Sequence, residues 1–210
     1  MCYKWRSGMK PSIPSFAVAA VLCAGLLWST SLDAGSAVIV PLVCDHGGSG
    51  QHADLVVTVP AAAEEGSTFT VRVDGQDSGK ISHTGLRYIH DMTTRLLLPN
   101  GASYVDGSAR IIPGTGTPNV REGASVRRQG NALILSLPGR VEDGSSFTPP
   151  SFEFQVKVTA AAGSKVLQRF AQYTVTAKAV LIGDVLTTCE PTPKPYTIGV
   201  TTVTAPPAQP

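Results

Sequence analysis

FEFQVKV, residues 152–158, decides the fold. Phe152, Phe154, Val156 and Val158 fall at period two, with Glu153, Gln155 and Lys157 between them. Successive side chains of a strand point to opposite faces, so this pattern describes a strand with one face in a core and the other in water. TFTVRV at 68–73 repeats it, with Phe69, Val71 and Val73 on one face. Further strands are predicted at 38–43, 54–59, 86–89, 93–98, 102–112, 126–129, 131–137, 166–177 and 179–186, a total of about nine to eleven. Glycine- and proline-rich stretches at 44–53, 74–80, 113–124 and 138–150 separate them, and Asn100-Gly101 is a strong turn signal.

No window of ten or more residues carries a 3.6-residue apolar period, so a helical or α/β domain is excluded. Many short strands with turn residues between them define an all-β class. At this size they favour an immunoglobulin-like antiparallel β-sandwich.

The first 37 residues differ from the rest. Lys4, Arg6 and Lys10 precede an uncharged run, FAVAAVLCAGLLW (16–28), and small residues follow at Ala34-Gly35-Ser36-Ala37. That order is a secretory signal, with cleavage expected after Ser36 or Ala37. The apolar run is shorter than the roughly 20 residues of a spanning helix, so no stable transmembrane anchor is expected in the mature form. The chain then divides into a signal peptide (1–37), a sandwich domain (38–190) and a Pro-rich C-terminal tail (191–210) with room for one edge strand at 197–204.

The signal region holds three basic residues and Asp33, leaving 14 of the 17 Lys and Arg against 14 of the 15 Asp and Glu. The mature chain is near neutral and its basic residues are dispersed. Nucleic-acid binding, which needs a concentrated positive field, is not expected. Of the four cysteines, Cys2 and Cys23 lie in the signal region. Cys44 and Cys189 remain as the only pair, and an oxidising compartment permits one bond tying the two ends of the domain together.

Candidate chemistry is sparse. His46 and His52 stand beside Asp45 and Asp54 in a polar stretch whose spacing fits no zinc pattern. His90-Asp91 offers two members of a Ser-His-Asp set, but there is no GxSxG elbow, and Ser49 in GGSGQ has no strand-to-helix turn behind it. Asp74, Asp77 and Asp91 lack a calcium-loop pattern. Tyr88, Tyr104 and Tyr173 are the aromatic candidates for a carbohydrate face, but core or strand-flank roles account for them better. No catalytic residue, cofactor or metal is assigned, and the balance leans away from an enzyme.

Several segments resemble a group of small secreted β-rich proteins of actinobacteria, of the mycobacterial and rhodococcal kind, that have no assigned activity. They are VTVPA (57–61) leading into GSTFTVRV, LLLPNGASYVDGSA (96–109), NALILSLPG (131–139), FEFQVKVTAAAGS (152–164), a cysteine shortly after the signal, and CEPTPKP (189–195). The likeness covers about residues 40–205. It implies export and a β-sandwich and carries no catalytic residue across. The expected protein is secreted or associated with the cell envelope, non-enzymatic, and binds an envelope or extracellular partner through loops or an exposed edge. The alternatives are a secreted hydrolase with an unrecognised site and a carrier of a hydrophobic molecule.

Overall fold

The computed structural model describes residues 35–46 and 48–208. Residues 1–34, most of the expected signal, lie outside the described residues. The chain forms β1 (Ser36–Cys44), β2 (Gly48–Thr58), β3 (Ala62–Glu64), β4 (Thr68–Gly75), β5 (Leu86–Leu97), β6 (Ala102–Tyr104), β7 (Arg110–Ile111), one helical turn α1 (Pro118–Arg121), β8 (Ser125–Gln129), β9 (Ala132–Leu137), β10 (Val141–Glu142), β11 (Phe152–Val158), β12 (Lys165–Ala179), β13 (Gly183–Pro191) and β14 (Tyr196–Thr204). This is an all-β, immunoglobulin-like sandwich. No helix among the described residues is long and apolar enough to cross a membrane.

The strands follow the order β6-β11-β4-β2-β1-β13-β12-β5-β9-β8. β11 buries Phe152, Phe154, Val156 and Val158, as its alternation predicts. Phe152, Phe154 and Val156 share one core with Val40, Val57, Val71 and Val73 of β1, β2 and β4, and with Met92, Leu96, Leu133, Leu135 and Phe170 of β5, β9 and β12, while Val158 packs with Val166 and Val203 in a second, smaller cluster. One half of the strand order therefore folds over the other. The halves join at β1 and β13, whose antiparallel ladder has only three pairs: Leu42 with Pro191, Val43 with Glu190, and Cys44 with Cys189. The Cys44–Cys189 disulfide closes the last pair across a sequence separation of 145 residues. It fastens the seam between the two halves.

The structure departs from the sequence reading at several places. The polar stretch 44–53 is not all loop, because β2 begins at Gly48 and pairs with β1 down to Cys44. The two strands expected within 81–98 are one, β5. A bulge at Asp91, with φ of 48°, sets two residues against one on β12 and breaks the alternation without ending the strand. The single strand expected at 102–112 is two short ones, β6 and β7, which pair with different stretches of β11. The strand expected at 179–186 is interrupted, since residues 180–182 form the β12–β13 turn.

The segment 191–210 is more than a tail with an edge strand. β14 pairs with β12 on one side and β3 on the other, and buries Ile198, Thr201 and Val203. The domain thus extends past residue 190 to at least Thr204. At its start, Ser36 and Ala37 already pair with Val57 and Val56.

Candidate functional site

The histidines predicted near Cys44 do not form one site. Asp45 closes the β1–β13 seam: its amide donates to the Thr188 carbonyl at 3.0 Å and its Oδ1 accepts from the Thr188 amide at 2.8 Å. That accepted bond holds the Asp45 carboxyl below its ordinary pKa. The His46 amide donates to the same oxygen at 2.8 Å, while His52 lies along β2 with Nε2 3.6 Å from Asp54 Oδ2. Among the described residues no group of three or more His, Cys, Asp and Glu is arranged to hold a metal ion.

His90 and Asp91 do meet. The positive φ at Asp91 is a conformation that Asp tolerates better than most side chains. Asp91 Oδ2 lies 2.8 Å from His90 Nδ1. The other ring nitrogen, Nε2, lies 3.7 Å from Asp184 Oδ1. A triad histidine uses that free nitrogen to take the proton of a nucleophile. Here it faces a second carboxylate. Lys178 Nζ lies 3.1 Å from Asp184 Oδ1, and its bond is the main cause of the lowered Asp184 pKa.

These groups form rows across the outer face of the β5, β12 and β13 strands. Tyr88, Lys178 and Asp184 are directly opposite one another, and so are His90, Thr176 and Leu186. Arg140 stacks on Tyr88 with its guanidinium carbon 3.6 Å from the ring centroid, and pairs with Glu142 at 2.6 Å. Tyr88 is therefore covered by a cation. Tyr104 lines a shallow cleft of about 510 Å³ with Leu98, Arg128 and Asn131, where Arg128 lies over its ring at 5.6 Å. Tyr173 packs against the core opposite Cys189, and burial pushes its hydroxyl pKa upward.

Sequence reasoning missed the most exposed apolar feature. At the β12–β13 turn Val180, Leu181 and Ile182 are 50%, 94% and 76% exposed. Gly183, with φ of 86°, closes the turn, and the Val180 amide donates to the Gly85 carbonyl at 2.8 Å. Turns favour Gly, Asn, Asp and Pro, so an aliphatic run at a turn is unusual. Its sequence, AVLIG, reads as a strand because nothing polar interrupts it.

The topology places this tip. β12 runs toward it and β13 away from it. β1 is antiparallel to β13, and β14 is antiparallel to β12. Ser36, at the start of β1, and Thr204, at the end of β14, therefore lie at the end of the sandwich opposite the tip.

A β-sandwich with an aliphatic hairpin tip and a charged, histidine-containing outer face is the class of module defined here. No protein-family model matches the chain, and no curated protein is similar to it. Among solved structures, a Corynebacterium diphtheriae protein described as membrane anchored is 12% identical, with 81% of this chain and 38% of that one covered at a TM-score of 0.47. The major pilin subunit BcpA of Bacillus cereus is 10% identical, with 81% and 40% covered at a TM-score of 0.39. The sixth cohesin of Acetivibrio cellulolyticus scaffoldin B, solved with a dockerin, is 16% identical, with 70% and 94% covered at a TM-score of 0.32. The chain thus spans well under half of the corynebacterial protein and of the pilin.

Proposed function

We propose that the protein is exported and acts outside the cytoplasm as a non-enzymatic binding module, turning the β12–β13 tip toward a protein or envelope ligand. The observation that carries this reading is the exposure of Val180, Leu181 and Ile182 at the end opposite Ser36 and Thr204. Aliphatic groups held in water forgo burial free energy until something covers them. A domain tethered through its Ser36 or Thr204 end presents that tip outward. The signal pattern in 1–37 and a disulfide suited to an oxidising compartment support export, as does the resemblance to secreted actinobacterial proteins. The hydrolase reading is weakened because both ring nitrogens of His90 face carboxylates. The carrier reading is weakened because Met92, Phe154 and Phe170 fill the space between the sheets.

Sedimentation with isolated cell envelopes tests the proposal. The wild-type protein is expected in the pellet, and the double variant Leu181→Asp, Ile182→Asp in the supernatant at an unchanged melting temperature. Equal behaviour of the two, in either fraction, refutes the reading.

A further inference from the structure

Among the described residues, one side of the β13 strand is paired only toward its C-terminal end. Along its other side it pairs with β12 from Gly183 to Cys189. Along the open side β1 pairs only with Cys189 to Pro191, and Asp45 satisfies Thr188. From Gly183 to Thr187 no strand among the described residues lies beside it. The chain turns away at Asp45 and leaves the line of β1 unfilled. Edges are normally blunted by Lys, Pro, a bulge or a covering loop. This one carries no Lys or Pro, its ladder with β12 runs without a register shift, and Leu186 on it is 59% exposed.

We propose that the open edge of β13, Gly183–Thr187, takes an extended peptide segment of a partner protein as an added antiparallel strand, with an aliphatic side chain against Leu186 and a basic one against Asp184. The inference rests on the binding-module reading and names its site and partner chemistry. Strand addition draws affinity from main-chain hydrogen bonds and specificity from alternate side chains. Here the alternation is set by the two rows across the outer face, which end at this edge on Asp184 and Leu186. Cross-strand neighbours of opposite charge, or of matching apolar character, stabilise a sheet, and the incoming basic side chain would share Asp184 with Lys178. The aliphatic tip at 180–182 adjoins the same edge and can cover one end of the incoming strand.

Two other occupants fit less well. A lipid surface would leave the open N–H and C=O groups of β13 without partners in hydrocarbon. A second copy paired edge to edge over five residues would bury far less than the roughly 1,200–2,000 Å² of a stable interface.

The test is a titration of the ¹⁵N-labelled protein with an amidated Lys-Val-Val-Val-Lys peptide, followed by amide shifts. Expected are saturable shifts concentrated at residues 183–187. Binding should weaken at least tenfold when the three central residues are N-methylated, at least fivefold in Leu186→Lys, and at least fivefold when the peptide's lysines become glutamates. Equal binding of the methylated peptide would mean apolar sticking and overturns strand addition. Shifts elsewhere, or none at millimolar peptide, also overturn it. So does concentration-dependent dimerisation mapping to the same amides, or their protection by phosphatidylcholine vesicles. If envelope sedimentation still depends on Leu181 and Ile182 while the peptide fails, the edge proposal falls and the module reading stands. Peptide binding without any envelope retention is the converse.

Discussion

Removal of the Cys44–Cys189 bond by paired Cys→Ala substitution should destabilise the domain mainly through its unfolded state. The bond closes a loop of 145 residues. In the chain-entropy treatment a loop of that length restricts the denatured chain by about 5 kcal/mol at 25 °C. In the folded protein the two cysteines are already directly paired across the β1–β13 ladder, with Asp45 stitched to Thr188 beside them. Losing the bond therefore leaves the native neighbours in place. With a urea slope of about 2 kcal/mol/M, the unfolding midpoint should fall by about 2–3 M.

Kinetics separates this from a native-state role. If the bond acts on the unfolded chain, the folding rate falls and the unfolding rate changes little. Far-UV circular dichroism in stopped flow reads both arms. A midpoint within about 0.5 M of wild type would refute the magnitude. A loss expressed wholly as faster unfolding would refute the mechanism, and would mean that the three-pair seam opens without its clasp.

Three other perturbations bear on the same framework. Phe154→Ala should cost about 3–5 kcal/mol in chemical denaturation, because a fully buried ring leaves a cavity, whereas Ala at the exposed neighbour Gln155 should change little; similar costs at both would invert the assigned faces. Asp74 works against its own burial, but the Arg72 fork at 2.8–2.9 Å and Ser151 outweigh that and hold its pKa below the ordinary value. A depressed carboxyl gives stability that is present above its unfolded pKa of about 3.9 and lost as pH falls through the folded one. Asp74→Asn should thus lower stability at neutral pH and flatten the acid limb below about pH 4; an acid limb unchanged in slope would remove Asp74 from that account. Gly139→Ala should lower the melting temperature sharply, since a Cβ there would lie 2.0 Å from the Asn119 carbonyl oxygen and 2.7 Å from Cα of the fully buried Val120; a melting temperature within a degree of wild type would contradict that close approach.

The strands legible in the sequence were those with one face in the core and one in water. FEFQVKV and TFTVRV are both of this kind, and both alternate without a break. Legibility failed where alternation and strand parted company. At Asp91 the bulge puts two residues where one belongs, so a continuous strand reads as two. The strand expected at 197–204 is present as β14, but its burial was not legible: the prolines at 191, 193 and 195 just before it suggest a tail, and the buried set Ile198, Thr201 and Val203 follows no strict period because the ladder shifts register near Gln168. At 180–182 the aliphatic tip hid inside an apolar run, since a turn made of Val, Leu and Ile carries none of the usual signals. The His90–Asp91 contact was legible as a pair of neighbours. Its second carboxylate was not, because Asp184 arrives from a strand 94 positions away, across the β12–β13 hairpin.

The clasp and the open edge have one structural origin. β1 pairs with β2 along its whole length but accompanies β13 for only three residues before the chain turns at Asp45. A seam that short gains little from main-chain bonding, so a covalent link at its last pair adds most where the ladder adds least. The same early departure leaves one side of Gly183–Thr187 without a neighbouring strand among the described residues, next to the aliphatic tip of the β12–β13 hairpin. Lengthening β1 to cover that edge would close the sheet and make the disulfide less consequential. It would also remove the surface on which the binding proposal depends. A variant carrying three residues inserted after Cys44 to continue the β1 ladder should therefore need the disulfide less and lose the peptide together. If the disulfide became dispensable while peptide binding survived, the two features would be independent and their common origin would be wrong.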